Sequence, residues 1–334
     1  MSTATLLIEL LTEELPPKSL KLLGDRFASG IADGLAKLGF TSTGTPHRGF
    51  ATPRRLAVAI PAVLDLQPDQ RVERKGPAVA AGFKDGVPTP ALSGFARSVG
   101  VAVDQLERHS DGKAEHFVFR TTKRGEPLAE HLAALVESVL KTLPAPKLMR
   151  WGASDVQFVR PVHRLVMLWG DRVVPGTVLG LASGNRTRGH RFLGAGELTI
   201  ASADTYEQTL REQGAVIASF EERAATIRQH LLAAAKDAAL ADESLIEEVT
   251  ALVEQPAVYE GRFDPAFLEV PQECLMLTMK ANQKYFPLLD AAGRLTNRFL
   301  IVSNIRPADT SAVVGGNERV VRPRLADAKF FFDQ

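Results

Sequence analysis

Leu20, Leu23, Phe27, Ile31, Leu35 and Leu38 recur at spacings of three and four, and Gly39 follows where a helix C-terminus takes a left-handed residue. This pattern predicts an amphipathic helix that opens after Pro16 and Pro17. Before it, Thr5 to Leu11 (TLLIELL) reads as a buried strand, with Glu9 interrupting an otherwise apolar run. After it, Phe50 to Val63 (FATPRRLAVAIPAV) reads as a second strand, with Arg54 and Arg55 near its start. A chain that begins this way has to bury one strand and one helix face together, which makes a small α+β unit. Thr12, Glu13 and Glu14 sit just ahead of the helix; paired carboxylates invite an acid–base reading, but acids at this place also favour the helix dipole, which is the preferred reading.

The stretch from Lys147 to Gly194 (KLMRWGASDVQFVRPVHRLVMLWGDRVVPGTVLGLASGNRTRGHRFLG) is the chemically distinctive one. It holds eight basic residues against two acids, in a chain whose net charge is +1, and seven of the eight are arginine. A guanidinium presents a planar fork of donors that suits phosphate and stacks on bases. Aromatic residues (Trp151, Phe158, Trp169, Phe192) are interleaved, as on a sheet surface that holds nucleic acid; a solvated sheet face is the plainer alternative. Leu165 to Trp169 is apolar throughout and reads as a buried strand. Gly170-Asp171 is a hairpin turn signal. Ser183-Gly184-Asn185 reads as another turn, placing Arg186, Arg188, His190 and Arg191 at or beyond a loop tip. A lone histidine such as His190, with no second ligand nearby, fits a hydrogen-bonding or phosphate-binding role better than a metal or base role.

Elsewhere, Arg71, Arg74 and Lys75 lie in an expected polar linker, and residues 76 to 110 suggest short helices. His116 to Thr121 reads as a strand. Leu128 to Leu143 reads as an amphipathic helix ended by Pro144 and Pro146. Ser219 with Glu222, and Ser244 with Glu247, read as capping boxes. Val258 to Phe263 and Phe299 to Asn304 read as strands, and Pro271 to Lys280 as a helix. Cys274, the single cysteine, is expected to be buried, and with no disulfide possible within one chain the cytoplasm is the expected compartment. Acid gathers at Asp237, Asp242, Glu243, Glu247, Glu248 and Glu254, so charge is segregated. The final stretch, GNERVVRPRLADAKFFFDQ, has helical apolar spacing and ends uncapped on three phenylalanines, which suggests a cut chain or a partner-covered face. No signal peptide and no run of about 18 apolar residues is present, so no membrane partner is expected.

The expected fold class is α+β, with several small mixed domains of antiparallel sheets and packed helices. The expected division is 1–65, an N-terminal α+β unit; 66–145, a mixed insertion; 146–200, a basic β region packing on the first unit; and 201–334, a further α+β domain. No Gly-rich phosphate loop, GxSxG or HExxH is present, so neither a catalytic set nor a metal site is expected.

Nine segments in order carry a resemblance. They are ELLTEELP (9–16), FATPRRLAV (50–58), MRWG (149–152), FVRPVH (158–163), RGHRFLG (188–194), LIEEVTALVEQPAV (245–258), MKANQKYFP (279–287), IVSNI (301–305) and GNERVVRPRLADAKFFF (316–332). Together they resemble the β subunits of bacterial glycyl-tRNA synthetases, along the N-terminal half of that longer chain. The resemblance implies an α2β2 assembly. In it the α subunit activates glycine with ATP and Mg2+, and the β chain holds tRNA(Gly) and needs no cofactor of its own. The residues then expected to touch tRNA phosphate and sugar are Arg54, Arg55, Arg150, Arg160, Arg186, Arg188, His190 and Arg191, with Lys280, Lys284, Arg322 and Arg324 behind them. The competing expectation is a scaffold for the α subunit that leaves tRNA untouched.

Overall fold

A computed structural model describes residues 2–110, 112, 114–145 and 147–334. The chain is α+β, and it divides into two compact units.

The smaller unit holds Asp65–Leu128 together with Ser2, whose hydroxyl donates to Asp65 at 2.7 Å. Its centre is an antiparallel sheet in which Glu115–Lys123 pairs with Gln70–Ala78 on one side and Glu107–Ser110 on the other. The segment with Arg71, Arg74 and Lys75 is therefore a strand and not a linker. It alternates polar residues on a mostly exposed sheet, so it lacks the apolar signal that marks strands in sequence. Of the expected short helices, Pro90–Val99 forms, capped by the Thr89 hydroxyl and ended by Gly100 at φ +75°. Leu92, Ala96, Leu106 and Phe117 make its core.

The larger unit is built on the strand β1 (Thr3–Thr12), the helix α1 (Leu20–Lys37), and the strands β2 (Arg48–Thr52) and β3 (Arg55–Leu64). β1 lies centrally, antiparallel to β3 on one side and to the strand Val162–Trp169 on the other. It is buried on both faces, which explains its near-continuous apolar sequence. The expected single strand over 50–63 is instead a hairpin. Thr52 pairs with Arg55 across the two-residue turn Pro53-Arg54. Proline suits a turn, and here it overrides the apolar run on either side.

Pairing register assigns the faces. Leu10, Leu56 and Ala51 stand in one row, on the α1 side, while Glu9, Ala57 and Phe50 stand on the opposite side. α1 lies close to the sheet, since a Cβ on Gly24 would come 2.7 Å from the Ala51 Cβ. Its outer side takes the helix Leu128–Thr142, where Gly30 and Gly34 leave room for Val139 and Leu135. That helix ends near Pro144; Pro146 lies outside the described residues.

Trp169 and Arg172 close the expected turn at Gly170-Asp171. Ser183 and Gly184, expected in a turn, belong to the strand Leu181–Gly184, parallel to Val162–Trp169. The next strand, Arg186–Arg188, pairs with Glu197–Thr199.

Towards the C-terminus, a four-stranded antiparallel sheet carries Ala239–Leu240, Phe286–Leu289, Leu295–Ser303 and Ala257–Arg262 in that spatial order. The helices Phe220–Ala235 and Leu245–Thr250 share one apolar cluster with it; Gln272–Gln283 and Ser311–Asp333 share another. The Ser219 cap forms, accepting from the Glu222 amide at 3.2 Å. The Ser244 cap does not, because Asp242 accepts both the Ser244 amide and its hydroxyl. Cys274 is exposed, contrary to expectation, because the helix turns Leu275 and Met279 inward. Among the described residues no helix is long and apolar enough to cross a membrane.

Gly24→Val should destabilise the chain by about 1–3 kcal/mol despite removing a helical glycine, because Ala51 has no flexible end that can yield. Denaturant midpoints would show this, and an unchanged midpoint would mean that α1 can ride higher on the sheet.

Candidate nucleic-acid interface

The site rests on a buried floor. Glu9, fully buried on β1, accepts from three donors: Arg55 Nη1 at 3.1 Å, the Tyr206 hydroxyl and the Thr187 hydroxyl. Arg55 is also fully buried. Its Nε donates to the Thr52 hydroxyl at 3.2 Å, its Nη2 donates to the Arg188 carbonyl at 2.9 Å, and Glu254 lies 3.5 Å away. Burial alone would lower the Arg55 proton affinity, but the Glu9 and Glu254 charges outweigh it and hold the guanidinium above its ordinary range. Burial and then the Glu9 charge push the Tyr206 hydroxyl up, so it stays a neutral donor. A second buried guanidinium, Arg223, donates to the carbonyls of Ala51, Ile217 and Thr250 at 2.7–3.1 Å. Desolvation pulls it down to about 10, which leaves it charged at neutral pH.

Above this floor opens a cavity of about 690 Å³, lined by Leu11, Glu13, Arg54, His163, Arg164, Arg188, Gly189, His190, Arg191, Gly196 and Glu197. Four arginines face two carboxylates there, and both carboxylates are engaged. Glu13 meets His163 at 2.7 Å and Arg191 at 3.7 Å. Glu197 accepts from Arg164 and Arg186. The His163 hydrogen bond holds the Glu13 carboxyl below its ordinary range, and the Arg186 bond does the same for Glu197. Both carboxylates are therefore counter-ions within the wall. Arg54 and Arg188 have no carboxylate within ion-pair distance among the described residues.

The loop after Arg188 is held by backbone. The His190 amide donates to the Gly214 carbonyl at 2.7 Å, and the Gly194 amide to the His190 carbonyl at 3.1 Å. A Cβ on Gly189 or Gly194 would fall within about 2.6 Å of Gly214 backbone, so only glycine permits this approach. His190 is 1% exposed, and its Nδ1 accepts from the amides of Phe192 and Leu193, each at 3.1 Å. The ring proton therefore sits on Nε2, which has no partner among the described residues. Phe192, on the same loop, is 73% exposed.

Of the residues expected to contact tRNA, the cavity gathers Arg54, Arg188, His190 and Arg191. Arg186 stands next to it through Glu197. Arg55 instead faces inward, fully buried against Glu9 and Glu254, and does not line the cavity. Lys280 pairs with Asp242, pulling that carboxyl down to about 2, and Lys284 pairs with Glu248 at 3.0 Å. The acid-rich segment thus neutralises these two lysines, which do not stand as free cations. Arg150 pairs with Asp155, Arg160 donates to the Val159 carbonyl at 2.8 Å, and Arg322 and Arg324 are exposed on the last helix. None of these four lines the cavity. Glu13, His163, Arg164 and Glu197 are not among the site residues expected from sequence. Glu13 reads as a helix-dipole acid, yet α1 begins only at Leu20 with no acid in its first turn.

Fold and site together define an α+β protein whose sheet, sealed by buried ion pairs, carries an arginine-lined cleft. Comparison with known sequences narrows this. The model of the family described as glycyl-tRNA synthetase beta subunit matches residues 6–334, and the chain belongs to that family. It is 52% identical over 337 residues to the glycine–tRNA ligase beta subunit of Neisseria meningitidis serogroup A (strain Z2491). It is 53% identical to those of Aromatoleum aromaticum, over 341 residues, and Thiobacillus denitrificans, over 346. Each alignment covers 100% of this chain and 49% of the relative, so the chain spans about half the length of the curated relatives it matches.

Glu9→Ala should cost about 3–5 kcal/mol of stability, because Arg55 then loses its closest buried carboxylate. Replacing both partners, Glu9→Leu with Arg55→Met, should cost less than the single change. A Glu9→Ala midpoint near that of the unaltered chain would show that the floor tolerates an unbalanced charge.

Proposed function

We propose that this chain is the tRNA-holding and assembly part of a glycine–tRNA ligase beta subunit, and that a separate alpha subunit performs the ATP-dependent activation and transfer of glycine. The family membership supports the ligase assignment. The observation that carries the tRNA role is the cleft, where a surplus of two positive charges remains after Glu13 and Glu197 have been matched by their own partners. Guanidinium groups on a rigid sheet edge would contact phosphates and fix the orientation of the RNA without reading its sequence. On this reading the partners are the alpha subunit and tRNA(Gly), ATP and Mg2+ belong to the alpha reaction, and the setting is cytoplasmic.

The scaffold reading, in which the chain contacts only the alpha subunit, draws on a different observation. Arg55, Lys280, Lys284, Arg150 and Arg186 all have carboxylate partners within the chain. Salt dependence separates the two readings. Each phosphate neutralised on a folded RNA adds about 0.7–0.9 to the log–log slope of affinity against salt.

Arg188→Ala combined with Arg191→Ala should weaken tRNA binding and reduce that slope by about 1–2, with thermal unfolding unchanged. Equal affinity and slope in the two proteins would leave the scaffold reading in place. The purified chain should also give no ATP–pyrophosphate exchange with glycine until the alpha subunit is added; exchange by the chain alone would refute the division of labour.

A further inference from the structure

Two features of the cleft are not used by general charge attraction. His190 is buried, and its Nε2–H has no acceptor among the described residues; the Nε of Arg54, which lines the same cavity, is also buried and without a partner among them. Buried donors in folded proteins are nearly always satisfied, so a pair of orphans in one cavity marks the place of an acceptor that is bound rather than built in. Phe192, on the loop that carries His190 but outside the lining of the cavity, is the second feature. Its ring lies 6.2 Å from the His190 ring and is 73% exposed, on a loop otherwise fixed by backbone hydrogen bonds. An exposed aromatic on a rigid loop is the standard stacking surface for a base.

We infer that the cleft seats one unpaired nucleotide, its phosphate held by the His190 Nε2–H, Arg54 and Arg188, and its base laid on Phe192. The cavity has room for a nucleotide rather than for an inorganic ion alone. Both orphaned groups are donors, so the ligand that suits them is an acceptor-only oxyanion. A carboxylate ligand would satisfy them too, but it would leave Phe192 without a stacking partner. The two carboxylates of the wall are countered, Glu13 by His163, Arg54 and Arg191, and Glu197 by Arg164 and Arg186. The inference rests on the tRNA-holding reading for the source of the nucleotide, whereas the chemistry of the seat does not depend on it. The phosphate ester could come from an RNA strand or from a free mononucleotide, and the experiment separates these.

The test uses the chain with three probes: inorganic phosphate, AMP and tRNA. With histidine side chains labelled in 15N, phosphate at constant ionic strength should move the His190 Nε2 resonance, and chloride should not. Three variants then divide the seat. Asparagine places an acceptor where Nδ1 stands and removes the Nε2 donor, and glutamine keeps a donor near the Nε2 position. His190→Asn should therefore weaken phosphate and AMP by about tenfold, and His190→Gln should recover most of this. Phe192→Ala should weaken AMP by about tenfold and leave phosphate unchanged. If the nucleotide belongs to RNA, tRNA should compete with AMP and all losses should carry over to it. AMP binding without competition from tRNA assigns the seat to a free nucleotide and defeats the tRNA-holding reading alone. Salt-dependent tRNA binding, with no phosphate-specific shift and no difference between His190→Asn and the unaltered chain, overturns the inference and leaves that reading standing.

Discussion

The pairing of Glu9 with Arg55 is the constraint on which the larger unit turns. β1 has both faces covered, so a carboxylate in its middle can persist only if every lone pair it directs inward meets a donor. The donors come from three places far apart in sequence: Arg55 on the neighbouring strand β3, Thr187 on the strand Arg186–Arg188 within the basic stretch, and Tyr206 on the first turn of the following helix. Glu254, from the loop before the C-terminal sheet, completes the charge balance. A one-residue slip of β1 would carry Glu9 to the α1 face, among Leu20, Leu23 and Phe27, where no such donors stand. The register is thus fixed by a polar group as much as by the apolar pattern. Such a pair adds specificity rather than net stability, since two apolar side chains of the same shape would avoid its desolvation cost.

The same logic sorts the arginines. A basic composition says how many cations a stretch holds, but not how many remain after the fold has matched them. Arg55 and Arg223 are inside, the first held by carboxylates and the second by carbonyl oxygens. Arg164 and Arg186 clamp Glu197. Within the wall of this cavity, among the described residues, the guanidinium groups without a carboxylate at ion-pair distance are Arg54 and Arg188.

Much of the fold was legible. The apolar period of α1, its Gly39 cap at φ +81°, the buried run before Trp169 and the Ser219 cap all follow from spacing or side-chain chemistry that operates within a few residues. What was not legible depends on partners distant in sequence. Arg71, Arg74 and Lys75 become strand only because Glu115–Lys123 lies alongside them. The Ser244 cap fails because Asp242 competes for the same groups. At the site, the loop with Arg188, His190 and Arg191 stood out by composition, but Glu13 and His163 are 150 residues apart and meet only in the folded chain. Glu9 was the exception. A single acid in an unbroken apolar strand is itself a signal that a buried partner exists, although it does not say which one.

Arg54 and Arg55 show why adjacent, chemically identical residues take opposite roles. The Pro53-Arg54 turn puts Arg54 at the tip of the hairpin and Arg55 at the start of β3, so one projects to the cleft and the other to the floor. The two layers remain joined, because the Arg55 Nη2 donates to the carbonyl of Arg188. That bond fixes the backbone from which the Arg188 guanidinium reaches the cavity and from which the glycine-lined His190 loop departs. Placement of the cleft cations is therefore inherited from the buried pair, with the sheet register as the common cause. If the cleft holds a polyanion as proposed, the backbone that carries these arginines is already in place, so the entropy cost of ordering a mobile loop is avoided and only side chains remain to be arranged.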